Sequence, residues 1–246
     1  MRDPIPATAP AWQPRAAALR RRARVAATAL LLLPLASQAD SAGAAPGSPW
    51  TVAEARPLGA NESGLAAAGW ACTQAVDLPS GSDRLLALCR RAAPASTPEL
   101  QLVLVPTAQG ASPRVLSKLG DASKAMLRSF VPAAACGPGP ACLAALVLVD
   151  QRDEGLCYGT QVLIALAGKP VRSLGFINEW SSARSESTCV GGLAQVSGTG
   201  VSVLIDLPGP LARTGPDGYP KPVAAGTVRY RIAADRPALK RQLIGP

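Results

Sequence analysis

Cysteine and carboxylate are the side chains with which this chain could do chemistry, because its 246 residues include no histidine. Without imidazole there is no Ser-His-Asp triad, no Cys-His pair, no His-ligated zinc or haem and no histidine pH switch. Other nucleophilic arrangements are missing as well. The chain contains neither Gly-x-Ser-x-Gly nor Ser-x-x-Lys. Ser117-Lys118 and Ser123-Lys124 are sequence neighbours, and a strand sends neighbours to opposite faces. Gly191-Gly192 and Gly198-x-Gly200 lack the strand-to-helix context of a phosphate loop.

Two carboxylate groupings remain. Glu179, beside Trp180, and Asp206 form the best pair for acid–base hydrolysis of a glycosidic bond. Only eight aromatic residues follow Ala39, however, which is sparse for a cleft that stacks sugars. Asp150, Asp153 and Glu154 cluster before Gly155, and acids in a turn can ligate calcium through oxygen. Arg152 stands among them, so a solvated hairpin turn is the expectation here. No catalytic residue, metal or cofactor is therefore assigned.

The six cysteines read as structural. No Cys-x-x-Cys occurs, which argues against zinc or thioredoxin-type chemistry. Cys72 and Cys89 lie symmetrically about the turn-like run Pro79-Ser80-Gly81-Ser82-Asp83. Cys136 and Cys142 bracket Gly137-Pro138-Gly139-Pro140. That leaves Cys157 with Cys189, the weakest of the three pairings, since an intervening strand would hold them about 10 Å apart.

The cations read first as a solvated outer sheet face with edge-protecting charges, and one cluster among them is the candidate binding surface. The densest group is Arg229, Arg231, Arg236, Lys240 and Arg241. Period-2 alternation puts Arg229 and Arg231 on one strand face, and the following strand can bring Lys240 or Arg241 beside them. Such a patch suits an anionic envelope component, either a phospholipid headgroup or an acidic polysaccharide. The other cations are scattered and aromatics are few, so a nucleic-acid partner is not expected.

The elements that must position these residues are mostly strands. Apolar runs at Leu85–Cys89, Leu100–Val105, Leu143–Val149, Tyr158–Leu166, Val171–Ile177, Cys189–Val196, Val201–Leu207, Val228–Ile232 and Leu239–Ile244 are separated by turn residues. Ala167-Gly168-Lys169-Pro170 and Ser197-Gly198-Thr199-Gly200 read as hairpin turns, and Asp150–Gly155 as a third. Residues 208–226, rich in proline and glycine, read as a long irregular loop. Residues 121–131 fit either a helix capped by Asp121 or a strand returning from Arg114–Leu119. The expected fold is mainly β: a disulfide-stapled antiparallel sandwich or meander with at most one or two short helices.

The N-terminus reads as an export signal. Six arginines precede an apolar run, Val25–Ala36, and Ser37-Gln38-Ala39 offers a small-x-small cleavage site. The run is shorter than the roughly 20 residues of a membrane-spanning helix, so no transmembrane segment is expected in the mature chain. The expected organisation is a signal peptide at 1–39, a flexible lead-in at 40–49 and one β-rich exported domain at 50–246. Cleavage near Ala39 removes most of the net charge of +9, leaving 19 basic and 15 acidic residues. Arginine outnumbers lysine 20 to 5, and alanine, glycine and proline are abundant, as in a GC-rich bacterium. The expectation is a periplasmic or extracellular binding protein rather than an enzyme. The alternatives are a carboxylate hydrolase built on Glu179 and Asp206, or an inhibitor of an envelope hydrolase that inserts the Cys136–Cys142 loop.

Overall fold

The segment Leu143–Val149 is apolar at every position. A strand with no polar face must be covered on both sides, and the architecture is built around that requirement. The computed structural model describes residues 50–58, 63–79, 82–91, 99–108, 110–120, 124–133, 142–153, 156–181, 189–217, 219–222 and 226–245.

The apolar segment lies in β8 (Leu143–Asp153), the middle of a five-stranded antiparallel sheet. Its other strands are β1 (Trp50–Glu54), β7 (Lys124–Pro132), β9 (Leu156–Leu166) and β10 (Arg172–Ile177), in the order β1-β7-β8-β9-β10. A second five-stranded sheet runs in sequence order: β2 (Arg56–Pro57), β3 (Trp70–Asp77), β4 (Asp83–Arg91), β5 (Leu100–Pro106) and β6 (Arg114–Lys118). A four-stranded sheet joins β12 (Gln195–Thr199), β13 (Ser202–Pro208), β16 (Thr227–Ala233) and β17 (Lys240–Ile244). A small third partner, β11 (Glu179–Ser181), β14 (Leu211–Thr214) and β15 (Pro220–Pro222), makes a three-stranded sheet. All pairings are antiparallel.

Side-chain alternation on β8 divides the interior into two cores. Ala145, Val147 and Val149 pack with Leu86, Leu88, Leu102 and Leu104 of the second sheet. Leu146 and Leu148 pack with Val203, Ile205, Val228 and Ile232 of the four-stranded sheet. The far face of β4 and β5 is covered too, by a cluster containing Leu65, from the short helix α1 (Ser63–Ala67), and Trp70. The layers are thus sheet on sheet on sheet. At roughly 25 cal/mol per Å² of apolar surface removed from water, this burial is the main stabilising force. Among the described residues no helix is long and apolar enough to cross a membrane.

The mainly β fold matches the expectation; one open choice is resolved and three local readings need correction. Of the two readings for residues 121–131, the strand is the one formed at 124–132: Ala125 and Leu127 face one core and Phe130 the other, a two-sided pattern that looks like a helical stripe in sequence. Asp121, the proposed cap, lies outside the described residues. Asp150, Gln151 and Arg152 form no solvated turn; they continue β8 and are buried. The run from Cys189 begins as a short helix, α2 (Val190–Leu193), with the strand delayed to Gln195. The stretch 208–226 contains β14 and β15, and the prolines Pro220 and Pro222 of β15 are tolerated on the edge strand of that small sheet.

Two disulfides are seen in full. Cys72 and Cys89 are cross-strand partners on β3 and β4. Cys157 and Cys189 have Cα atoms 5.6 Å apart, closer than two strand spacings, because Cys189 enters α2 instead of a sheet strand. Each bridge contributes about 2–4 kcal/mol by restricting the unfolded chain. Cys142 is also disulfide-bonded, whereas Cys136 and its loop lie outside the described residues.

Candidate anion-binding face

The four-stranded sheet buries one face and presents the other. Val203, Ile205 and Leu207 of β13 and Val228, Tyr230 and Ile232 of β16 point into the core. Their alternation partners, Asp206, Arg229 and Arg231, therefore project outward. Register sets the rows of this open face. Asp206 stands opposite Arg229, which stands opposite Gln242. Leu204 stands opposite Arg231, which stands opposite Lys240.

The four expected patch residues fall into different environments. Arg229 grips Asp206 with two hydrogen bonds, Nε to Oδ1 at 2.5 Å and Nη2 to Oδ2 at 2.7 Å. That bond holds the Arg229 guanidinium above its ordinary pKa. Its charge is thus largely balanced in place. Arg231 and Lys240 are directly opposite each other and exposed, and neither has an acidic partner among the described residues. Like charges at opposed positions disfavour the sheet, so this pair is stabilised by any anion that settles between them.

Arg241 does not join the patch. It is the register partner of Tyr230 and so shares the core-facing side. Its Nε donates to Glu179 Oε1 at 2.5 Å, and the Tyr230 hydroxyl donates to Glu179 Oε2. The Glu179 side chain is fully buried. Burial first, then the hydrogen bond to Glu179, pushes the Tyr230 hydroxyl well above its ordinary pKa. Arg241 is raised by its hydrogen bond to Glu179. This cluster ties the three-stranded sheet to the four-stranded one. Removing Arg241 would strand the buried Glu179 charge, typically a loss of about 3–5 kcal/mol.

The two carboxylates of the hydrolase reading are consequently separated by the sheet. Asp206 is on the open face, while Glu179 bonds to a core-facing tyrosine. Each is committed to an arginine on its own side of the sheet. Among the described residues, no three acidic or cysteine side chains gather as metal ligands.

Asp150, expected in a solvated turn, is instead a buried acid. Asp150 is 3% exposed and accepts the Thr160 hydroxyl at 2.5 Å. The Gly191 N–H reaches both of its oxygens at 3.0 Å. Desolvation nevertheless dominates and raises its pKa. A Cβ on Gly191 would lie 2.6 Å from Asp150 Oδ2, so this position must be glycine. The signal for a buried acid was the unbroken apolar run leading into Asp150, which a turn assignment overrode.

No family model matches this chain, and neither the curated proteins nor the solved structures contain a match.

Proposed function

We propose that this is an exported, disulfide-bonded binding protein that docks an acidic polymer on the open face of its four-stranded sheet. The observation that carries the reading is the exposed Arg231–Lys240 pair, two facing cations with no acidic partner among the described residues. Around it lie hydroxyl and amide side chains, including Ser197, Ser202 and Gln242, which suit the hydroxyls and carboxylates of an acidic polysaccharide. No large apolar residue on this face is strongly exposed, which favours a polysaccharide over insertion into a bilayer. Export rests on the N-terminal arginines, the apolar run and the small-x-small site. Disulfides accord with an oxidising periplasmic or extracellular location.

Co-sedimentation with polygalacturonate, and in parallel with vesicles rich in phosphatidylglycerol, tests the assignment. Wild-type protein is expected to bind the polysaccharide and to release it as salt screens the charges. The Arg231→Glu/Lys240→Glu variant should lose that binding. Retention by the variant would remove the face from consideration, and binding to vesicles alone would replace the polysaccharide with a membrane.

A further inference from the structure

The second five-stranded sheet stops short of the edge of the central one. Gln161 on β9 donates through Nε2 to the Ser117 hydroxyl of β6 at 3.3 Å, so β6, the last strand of its sheet, lies over β9. β10, the edge strand of the central sheet, extends beyond it. Ser173 and Phe176 of β10 are exposed accordingly. The result is a shelf, floored by β9 and β10 and backed by β6.

A bulge decides what the shelf presents. Ser173 pairs with Leu163 and Phe176 with Gln161, and the register shifts between Ser173 and Gly175. Leu163 and Gln161 are two residues apart on β9, so they share a face, the one packed against the second sheet. Ser173 and Phe176 are three apart and in a regular strand would point to opposite faces. The extra residue turns both to the Gln161 side. Gly175 supplies the positive φ, +115°, at that bulge.

Uncharged polar groups and an aromatic ring meet there. Gln161 Nε2 also donates to Ser173 Oγ at 3.1 Å, and the Gly175 N–H donates to the same oxygen at 3.3 Å. Both serine oxygens are thus held as acceptors, and neither O–H has an acceptor among the described residues. The Gln161 side chain is buried, yet its Oε1 has no partner among the described residues. Beside this row the Phe176 ring is 48% exposed, its Cδ1 3.7 Å from where a Cβ on Gly159 would lie. Apolar C–H faces of a sugar ring cover an exposed aromatic face, and sugar hydroxyls both donate and accept.

We propose that this shelf binds one neutral sugar ring of a glycan. The sugar packs on Phe176, and the Ser117 and Ser173 O–H groups donate to its hydroxyl oxygens. Gln161 holds both serines in place, and its Oε1 takes a donor from the sugar or from a water bound with it. The shelf shares no residue with the Arg231–Lys240 face.

The test titrates isotopically labelled protein, followed by NMR, with cellotetraose, maltotetraose, mannotetraose and fully N-acetylated chitotetraose. At least one should saturably shift the Gln161 side-chain amide and the Ser173 and Phe176 backbone amides, at millimolar concentration or below. Salt should leave that affinity unchanged, because no ion pair forms. Phe176→Ala should weaken it about tenfold, the worth of an aromatic contact. Ser173→Ala should weaken it about threefold, the net value of a neutral hydrogen bond. Both side chains are exposed, so both variants should fold as wild type does. Arg231→Glu/Lys240→Glu should bind the sugar unchanged, which separates the shelf from the polysaccharide face. No saturable shift with any of the tetrasaccharides, shifts confined to other residues, an affinity that falls with salt, or an indifferent Phe176→Ala variant would each overturn the proposal.

Discussion

Whether a surface cation is available to a partner depends on the carboxylate beside it. Arg229 and Arg231 are two residues apart on one strand face, yet Arg229 is held by Asp206, whereas Arg231 stands between Leu204 and Lys240. The Arg229–Asp206 pair is partly exposed, so its net contribution is modest. Asp206→Asn should therefore cost about 1 kcal/mol in urea unfolding. The same substitution releases the Arg229 charge and should tighten binding to polygalacturonate at low salt. A variant that binds more weakly would show that Asp206 itself contacts the partner. Alternation made the outward direction of Arg229 and Arg231 legible in the sequence. The destination of Arg241 was not legible, because it depends on Glu179, 62 residues away.

At the scale of elements, the informative junction is where β8 and β9 meet α2. Thr160 on β9 and Gly191 on α2 both donate to Asp150, and the Cys157–Cys189 bridge joins β9 to the residue preceding α2. Hydrogen bonds favour the charged carboxylate, but desolvation outweighs them and the pKa rises. A carboxyl whose pKa is raised on folding binds its proton more tightly in the native state. Its stabilising contribution is complete below the unfolded value of about 3.9 and declines as pH climbs through the folded pKa. The stability difference between wild type and Asp150→Asn should accordingly shrink as pH rises from about 4 and then level off. Chemical denaturation across that range checks the sign; a difference that grows with pH would mean the hydrogen bonds prevail. The sequence marked this stretch as turn because its residues are polar. Burial between an opposite strand and a helix end is a property of the neighbours.

At the scale of the whole molecule, three stacked sheets place β8 and β9 deepest. Val147, Val149, Leu163 and Ile164 have no exposure, whereas the edge strand β17 is exposed along most of its length. Backbone amides of β8 and β9 should open only through global unfolding, and those of β17 through local fraying. Native-state hydrogen exchange should show the slowest rates in β8 and β9. Equal protection in β17 would contradict the layered order. The apolar runs at Leu85–Cys89, Leu100–Val105 and Leu143–Val149 are strands buried on both faces between stacked sheets, where the sequence led only to an antiparallel sandwich or meander.

The sequence by itself determined the element type along most of the chain, the β class, the Cys72–Cys89 pairing and the absence of imidazole chemistry. All of these follow from local composition, two-residue periodicity and short-range symmetry. Tertiary structure alone decided that Asp150 is buried, that Cys157 reaches Cys189, that Glu179 and Asp206 lie on opposite sides of a sheet, and that Arg241 leaves the cationic face. Each of those outcomes depends on register between strands distant in sequence. A shift of one residue exchanges the two faces of a strand, and no local pattern specifies which partner carboxylate a given arginine will meet.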